Sequence, residues 1–313
     1  MNISFYSIED TEGKTLQALR DRLPDHHVWA WPGVGNPHEL DYAICWGVPD
    51  NFFDKVTQLR AIFSLAAGVD HLLNHPQLPK GVPIIRLSDA GMADKIAEYV
   101  QYGVLRWHRH FDSYQRQQNR HIWQPQDEKN TADYRVGVMG LGIIGNRIAS
   151  RLQDAGYAVC AWKRTRSTDS SIEVFYGNDQ LPEFLQRLDT LVCVLPLTAS
   201  TNGIINAELL KNLPSKATLI NVGRGAHIVE EDLLHALETN HLAGAMLDVC
   251  STEPLPATSP LWDQPNILIT PHIAGPTQLE LSVAQIADGI HHLASGGDVF
   301  SLGTAIVDDK TGY

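Results

Sequence analysis

Residues 136–145 read VGVMGLGIIG, an apolar run that leads into the pattern G-x-G-x-x-G. The first glycine permits a tight turn, the second lets the backbone approach a pyrophosphate, and the third allows a helix to pack closely on a strand. An amphipathic stretch follows at 143–153, so a phosphate would lie at the positive N-terminus of a helix. This context predicts a dinucleotide-binding turn. The residues predicted to contact the cofactor here are Gly140, Gly142, Ile143, Ile144 and Gly145.

Outward from this turn, short β-type runs alternate with helical patterns, which predicts parallel sheets covered by helices. The second unit begins at Tyr134, and its six strands match a doubly wound nucleotide-binding sheet. Its predicted strands are 134–139, 158–162, 190–195, 218–222, 243–249 and 267–270. A first unit precedes it, with predicted strands at 3–7, 27–31, 42–46, 61–64 and 84–87. Predicted helices cover 15–23, 91–119 and 277–293, and 124–130 is a polar connecting loop.

Composition excludes several classes of protein. The chain has 313 residues, and 24 Lys+Arg against 36 Asp+Glu give a formal net charge of −12, which disfavours a nucleic-acid binder. No apolar run reaches the ~20 residues that span a bilayer, and the N-terminus does not resemble a signal peptide. The cysteines are far apart without a CxxC pair, so free thiols and a cytoplasmic location are expected. They are Cys45, Cys160, Cys193 and Cys250.

A basic segment follows the second strand of the second unit. An NAD site should show a carboxylate about 20 residues after the glycines, to bond the ribose 2′-hydroxyl. The sequence has cations there instead, and arginine can hold a 2′-phosphate through two donors. A solvated basic loop is the alternative interpretation. The pattern favours NADP(H), with NAD(H) as the weaker alternative, at Lys163, Arg164, Thr165 and Arg166.

Three further segments each place polar groups just past an apolar strand: NVGRG at 221–225, DVCSTEPL at 248–255 and TPHIAG at 270–275. Ligands of doubly wound sheets bind beyond the carboxyl ends of the strands. Arg224 offers a permanently charged fork that can bind a carboxylate and polarise a neighbouring carbonyl. His272 can donate a proton, because its pKa ordinarily lies close to working pH. Glu253, if bonded to His272, favours the imidazolium and holds its orientation.

Each of these residues also has an ordinary structural interpretation. An arginine between glycines can be a loop cation, Glu253 before Pro254 can start a turn, and His272 can be a satisfied loop histidine. It is the combination with the glycine turn that indicates an enzyme. The fourteen histidines, in contrast, show no ligand spacing, since His108 and His110 point to different sides of a helix. No metal site is expected.

The four motifs in this order and spacing resemble the D-isomer-specific 2-hydroxyacid dehydrogenase family over essentially the whole chain. The segments at 115–119, 123–125, 162–166 and 244–248 and the end at 312–313 resemble its bacterial glyoxylate and hydroxypyruvate reductases. The resemblance implies two doubly wound α/β domains. A flavodoxin-like substrate domain would comprise 1–100 with 276–313, and a Rossmann NAD(P)-binding domain 101–275, with hinges near 100 and 275. It also implies a homodimer that involves the predicted helix 91–119.

The resemblance implies the remaining site residues. It assigns the three catalytic roles to Arg224, Glu253 and His272, and it places Asp248 at the nicotinamide end of the cofactor. Further implied cofactor contacts are Leu195, Pro196, Thr201, Val222, Gly223 and Gly275. A small-residue loop whose amides can bind a carboxylate gives the substrate contacts Ala66, Ala67, Gly68 and Val69, with Trp46 as a pocket wall or an ordinary packing residue.

The implied reaction is the NADPH-dependent reduction of glyoxylate to glycolate and of hydroxypyruvate to D-glycerate. Its partner is a small 2-oxo acid, and Ala67, where many relatives have glycine, can trim the pocket. No nucleic acid or membrane is expected as a partner. The alternatives are a reductase of another 2-oxo acid and a dinucleotide-sensing protein similar to corepressors of this fold.

Overall fold

The computed structural model describes residues 1–33, 35–165 and 172–307, so Arg166 and the segment 312–313 lie outside the described residues. The chain forms two compact units, one of Met1–Gly91 with the chain from Thr277 onward, and one of Met92–Pro276. Residue 100, where the sequence analysis places a boundary, lies inside a continuous helix of the second unit.

The described residues form twelve strands and nine α-helices. The strands are β1 (Asn2–Ser7), β2 (His27–Ala30), β3 (Tyr42–Trp46), β4 (Ala61–Ser64), β5 (Ile84–Ile85), β6 (Arg135–Met139), β7 (Ala158–Lys163), β8 (Glu173–Tyr176), β9 (Thr190–Cys193), β10 (Ala217–Asn221), β11 (Leu242–Leu247) and β12 (Ile267–Ile269). The helices are α1 (Lys14–Arg22), α2 (Asp70–Leu73), α3 (Met92–His108), α4 (Phe111–Asn119), α5 (Ile143–Asp154), α6 (Leu181–Leu185), α7 (Ala207–Lys211), α8 (Glu230–Glu238) and α9 (Leu279–Ala294).

The first unit contains a five-stranded parallel sheet in the order β2-β1-β3-β4-β5. This is the flavodoxin-like order, in which the chain reverses direction across the sheet between its first and third strands. All four residues of β4 are buried, because a parallel sheet is covered on both faces and its strands therefore read as continuous apolar runs. Tyr42 and Phe63 are among the largest fully buried side chains of the chain.

The second unit contains a seven-stranded parallel sheet in the order β12-β11-β10-β9-β6-β7-β8. Counted within the unit this is 7-6-5-4-1-2-3, the Rossmann order with one added strand. After β8 the chain crosses to β9 on the other side of β6, so the carboxyl ends of the neighbouring strands β6 and β9 mark the switch point. The predicted fold class of two doubly wound parallel sheets is confirmed.

Two predictions about elements were wrong. The second unit has seven strands rather than the predicted six. The prediction missed β8, an edge strand in which only Phe175 is buried and which lacks the apolar run typical of a central strand. The predicted helix at 91–119 is two helices, α3 and α4, separated at His110. His110 has φ 56°, a left-handed conformation that a helix cannot continue through.

Predicted strand ends differ by a few residues from those in the structure. At 84–87, for example, only Ile84–Ile85 pairs with β4. No helix in the part of the chain that the structure describes is long and apolar enough to cross a bilayer. The same residues contain no group of three or more His, Cys, Asp or Glu side chains arranged to hold a metal ion.

Candidate active site

The glycine turn joins β6 to α5. Gly140 has φ +103°, and a Cβ on Gly145 would lie 1.9 Å from the Gly140 carbonyl oxygen, so both positions require glycine. A Cβ on Gly142 would instead meet no heavy atom within 4 Å. Gly142 is the N-cap of α5, which therefore begins beside open space with Ile143 and Ile144. Because the first amides of a helix lack partners within it, this start of α5 fits a dinucleotide pyrophosphate.

The predicted basic segment begins at the end of β7. Lys163 is the last residue of that strand, and Arg164 and Thr165 follow it on the surface. The Arg164 guanidinium donates to the Ser200 hydroxyl over 3.0 Å, and Ser200 lies 3.0 Å from the Thr198 hydroxyl. Arg164 therefore sits beside the loop that follows β9, which contains further predicted cofactor contacts.

The loop after β9 is held by its own polar groups. Leu195 is 8% exposed, and Thr201 is nearly buried. The Thr201 hydroxyl donates to the Pro196 carbonyl over 2.6 Å and accepts the Thr198 amide at 2.8 Å. The structure thus uses this hydroxyl, predicted as a cofactor contact, to shape the turn.

The Arg224 loop is fixed by two buried side chains. Asn221, the last residue of β10, is 0% exposed; its amide nitrogen donates to the Arg224 carbonyl over 2.9 Å, and its oxygen accepts the Gly223 amide at 3.1 Å. The buried His227 ring accepts the Arg224 amide at Nδ1 over 3.0 Å. Nε2 must then carry the proton, which it donates to Pro196 over 3.2 Å. Both side chains restrict the position of Arg224.

The Arg224 loop also packs against the segment that carries Glu253. A Cβ on Gly225 would lie 1.9 Å from the carbonyl carbon of Cys250, so glycine is required for this approach. The Arg224 guanidinium donates to the Gly223 carbonyl over 2.8 Å. Val222 lies just upstream, and its amide donates to the Cys193 carbonyl over 3.0 Å, which ties β10 to β9.

Glu253 and His272 form a pair. Nδ1 of His272 lies 2.8 Å from Oε2 of Glu253, and Oε1 accepts the Cys250 amide at 3.0 Å. Because a carboxylate accepts, Nδ1 is the donor. The two side chains are 45% and 39% exposed. No hydrogen bond to Nε2 is present among the residues that the structure describes, so this atom is open to a ligand.

Asp248, at the end of β11, organises the loop that carries His272. Its carboxylate is 3% exposed. Oδ1 accepts the Thr270 hydroxyl at 2.7 Å and the Ile273 amide at 2.8 Å, and Oδ2 accepts the Ala274 amide at 2.8 Å. The loop ends at Gly275, where a Cβ would lie 2.7 Å from a methyl carbon of Ile96. Close packing on α3 therefore accounts for this glycine.

The Cys250 thiol lies among these carboxylates. Burial, followed by the charges of Glu230, Glu253 and Asp248, raises its pKa to about 11. The thiol is therefore protonated near neutral pH and is not an activated nucleophile.

In the first unit, the small-residue loop 65–69 joins β4 to α2. Ala66 donates its amide to the Ser64 hydroxyl over 3.2 Å, so this predicted substrate contact is already used. The amides of Ala67, Gly68 and Val69 have no acceptor in the described part of the chain. Backbone amides grouped in this way suit a carboxylate.

Trp46, the predicted pocket wall, is the last residue of β3. Its indole nitrogen donates to Glu9 over 3.1 Å, and its ring meets His71 edge-on with centroids 4.3 Å apart. These contacts fix the indole at the strand end.

The sequence analysis missed Asn221, His227 and Thr270. A usable signal existed for Asn221, since a polar residue that ends a wholly buried strand needs partners, and in this fold it is close to the ligand edge. The other two hold site residues through contacts that spacing alone does not reveal.

Residues 102–274, which lie within the second unit, match the family model of the D-isomer specific 2-hydroxyacid dehydrogenase NAD binding domain. The chain belongs to this family. It is therefore an enzyme, an oxidoreductase of the D-2-hydroxyacid dehydrogenase type, as predicted.

Full-length relatives support the assignment. The chain is 40% identical to glyoxylate/hydroxypyruvate reductase A of Enterobacter sp. (strain 638) and 41% identical to that of Escherichia fergusonii, with 100% of both chains covered in each case. A D-isomer specific 2-hydroxyacid dehydrogenase from Xanthobacter autotrophicus Py2, solved with NADPH and MES, superposes with a TM-score of 0.92 at 37% identity, covering 100% of this chain and 99% of that one. An NADPH-dependent glyoxylate/hydroxypyruvate reductase from Sinorhizobium meliloti, solved with NADP and sulfate, gives 0.90 at 31% identity with the same coverage.

Proposed function

We propose that this enzyme reduces glyoxylate to glycolate and hydroxypyruvate to D-glycerate with NADPH. The observation that carries the proposal is the Glu253–His272 pair, 2.8 Å apart, with the Arg224 loop packed against the segment that carries Glu253. The pair supplies an oriented proton donor, and Arg224 supplies a permanent cation at the same sheet edge. The names of the full-length relatives support the choice of these two substrates.

Arg224 binds the substrate carboxylate. Its guanidinium is always charged and presents parallel donors that match the two oxygens of a carboxylate. The amides of Ala67, Gly68 and Val69 in the first unit supply further donors to the substrate. The small side chains of this loop suit a substrate of two or three carbons.

His272 provides the proton for the carbonyl oxygen of the substrate. Glu253 occupies Nδ1, so Nε2 is the ring atom that delivers the proton. Glu253 also holds the ring in one orientation and stabilises its positive charge before transfer. NADPH, when bound, supplies the hydride that the carbonyl carbon receives.

The second unit also holds the cofactor. The turn at Gly142 fits the pyrophosphate because a Cβ there would fill open space at the start of α5. Lys163 and Arg164 bind the 2′-phosphate of NADPH, together with Arg166. NADH, which lacks this phosphate, is the poorer reductant.

Initial rates with each oxo acid and each reduced nucleotide test the reaction. We expect turnover of glyoxylate and hydroxypyruvate that is faster with NADPH than with NADH. Equal rates with both nucleotides would show that the basic segment does not determine which cofactor the enzyme prefers. Turnover only of a longer or phosphorylated 2-oxo acid would overturn the substrate assignment.

Substitution of Arg224 tests the carboxylate site. Arg224→Ala should lower kcat/KM about 10²–10³-fold, the usual cost of removing a donor from developing charge. Arg224→Lys keeps the charge but not the fork, so its loss should be smaller. A near-normal kcat/KM in Arg224→Ala would remove this residue from the mechanism.

We further infer a homodimer formed through α4 and the segment after it. No residue of α4 is buried, Phe111 is 51% exposed, and Trp123 is fully exposed. Large apolar side chains exposed along one segment fit a second copy of the chain. Light scattering coupled to size exclusion should give twice the chain mass, and Trp123→Ala should weaken the dimer; a monomer at micromolar concentration would contradict the inference.

The four free thiols favour the cytoplasm as the compartment. In cell fractionation, the enzyme should appear with cytoplasmic markers. Recovery in a membrane or secreted fraction would contradict this.

A further inference from the structure

A chain of hydrogen bonds leads from α3 to the loop that carries His272. The Tyr99 hydroxyl lies 2.6 Å from the Thr270 hydroxyl, which lies 2.7 Å from Oδ1 of Asp248. Tyr99 and Thr270 are both partly buried, and Asp248 is almost fully buried. All three belong to the second unit.

The direction of each hydrogen bond follows from the groups involved. Asp248 receives three donors and acts as a carboxylate, which only accepts. Thr270 must therefore donate its single hydroxyl proton to Asp248. The Tyr99 hydroxyl can then only donate to the Thr270 oxygen. Burial raises the pKa of Tyr99, which keeps this phenol protonated.

The loop that carries His272, at the end of this series of hydrogen bonds, has an unfavourable backbone conformation that other contacts must stabilise. His272 has φ 56°, in the left-handed region that residues other than glycine rarely adopt. Its amide donates to the Asp248 carbonyl over 2.8 Å, and the amides of Ile273 and Ala274 donate to the Asp248 carboxylate. Such conformations persist only where the surroundings fix them.

We propose that Tyr99 is a positioning residue for His272, acting through Thr270 and Asp248. The phenol anchors Thr270 to α3, Thr270 orients the Asp248 carboxylate, and the carboxylate holds the two amides that follow His272. This fixes the imidazole that Glu253 orients. The proposal rests on the function of His272 as proton donor proposed above.

Tyr99→Phe tests it because it removes only the donor. We expect kcat for glyoxylate to fall about two- to tenfold, the range that one hydrogen bond contributes, with KM nearly unchanged. Tyr102→Phe is the matched control: Tyr102 is on the same helix and 51% exposed, and its hydroxyl has no hydrogen-bond partner among the described residues. It should leave kcat unchanged.

A double-mutant cycle with Thr270→Val tests the route. If Tyr99 acts through Thr270, Tyr99→Phe should cost nothing further in the Thr270→Val background. Additive losses would overturn this route. Thr270→Ser keeps the hydroxyl and should retain wild-type kcat. This result would show that the loss in Thr270→Val comes from the missing hydroxyl and not from a changed fold.

Hydrogen exchange gives a readout that does not depend on the substrate. In Tyr99→Phe, the peptide containing Ile273 and Ala274 should exchange faster than in wild type, while a peptide from β10 should not change. If the wild-type enzyme turned over neither oxo acid, the proposed function would fail, and the exchange result would still decide the role of Tyr99. Unchanged exchange in Tyr99→Phe would overturn the proposal.

Discussion

The two sheets present different groups at their carboxyl ends. In the second unit, β10 ends on Asn221, and Asp248 and Thr270 directly follow β11 and β12. Asn221 bonds the loop that carries Arg224, and Thr270 bonds Asp248. In the first unit, the loop after β4 presents backbone amides between small side chains, and Ser64 is the polar side chain that ends this strand. The same architecture thus offers side-chain chemistry in one unit and backbone donors in the other.

The difference is visible in burial as well. Asn221 and Asp248 are 0% and 3% exposed, and each is bonded, as buried polar groups must be. Such a network is rigid because every member restricts the others. We therefore expect changes in the network around Asp248 and His272 to lower kcat, and changes in the first-unit loop to raise KM.

The largest effect should come from His272→Ala, which removes the proposed proton donor from the second unit. General acid catalysis contributes about 10²–10⁴-fold, so kcat for glyoxylate should fall by this factor while KM changes little. Steady-state kinetics with saturating NADPH measures both. His235→Ala, at an exposed position on α8, serves as the control and should have wild-type kcat.

An unchanged rate and pH profile in His272→Ala would show that another group donates the proton. A loss confined to KM would contradict the division of roles between the two units.

The sequence predicted the strand ends well, and the physical reason is burial. Central parallel strands read as apolar runs, so the residue that follows each run lies at the ligand edge. Arg224, Asp248 and His272 could be found in this way. The edge strand β8 could not, since it buries only Phe175.

Contacts within the site could not be read from spacing. The Thr270–Asp248 bond joins residues 22 apart in the chain, and the bond from His227 to Pro196 joins residues 31 apart. Both depend on the register of neighbouring strands and loops. The break at His110 depends likewise on the left-handed conformation of one residue, which no helical pattern shows.

A smaller effect should come from Ala67→Pro, which removes one amide from the first-unit loop. Hydrogen bonds to charged groups contribute about 1.5–3 kcal/mol, so KM for glyoxylate should rise about tenfold or more while kcat stays within twofold. Ala67→Gly keeps the amide and is the matched control. A fall in kcat with constant KM would assign this loop to the chemical step instead, and thermal unfolding of both variants checks that the fold is retained.

The smallest effect concerns the thiols, whose pKa values are raised by different causes in the two units. Burial alone raises the pKa of Cys45 in the first unit, whereas carboxylates contribute to the pKa of about 11 at Cys250. A raised pKa keeps the thiol protonated, so alkylation of Cys250 should be slow at pH 8 and should rise about tenfold per pH unit until the pH approaches 11. Glu230→Gln removes one negative charge and should speed alkylation of Cys250 by a few fold, measured peptide by peptide by mass spectrometry. Cys45 should stay unlabelled in both proteins. Equal Cys250 rates in wild type and Glu230→Gln would show that the Glu230 carboxylate does not act on this thiol.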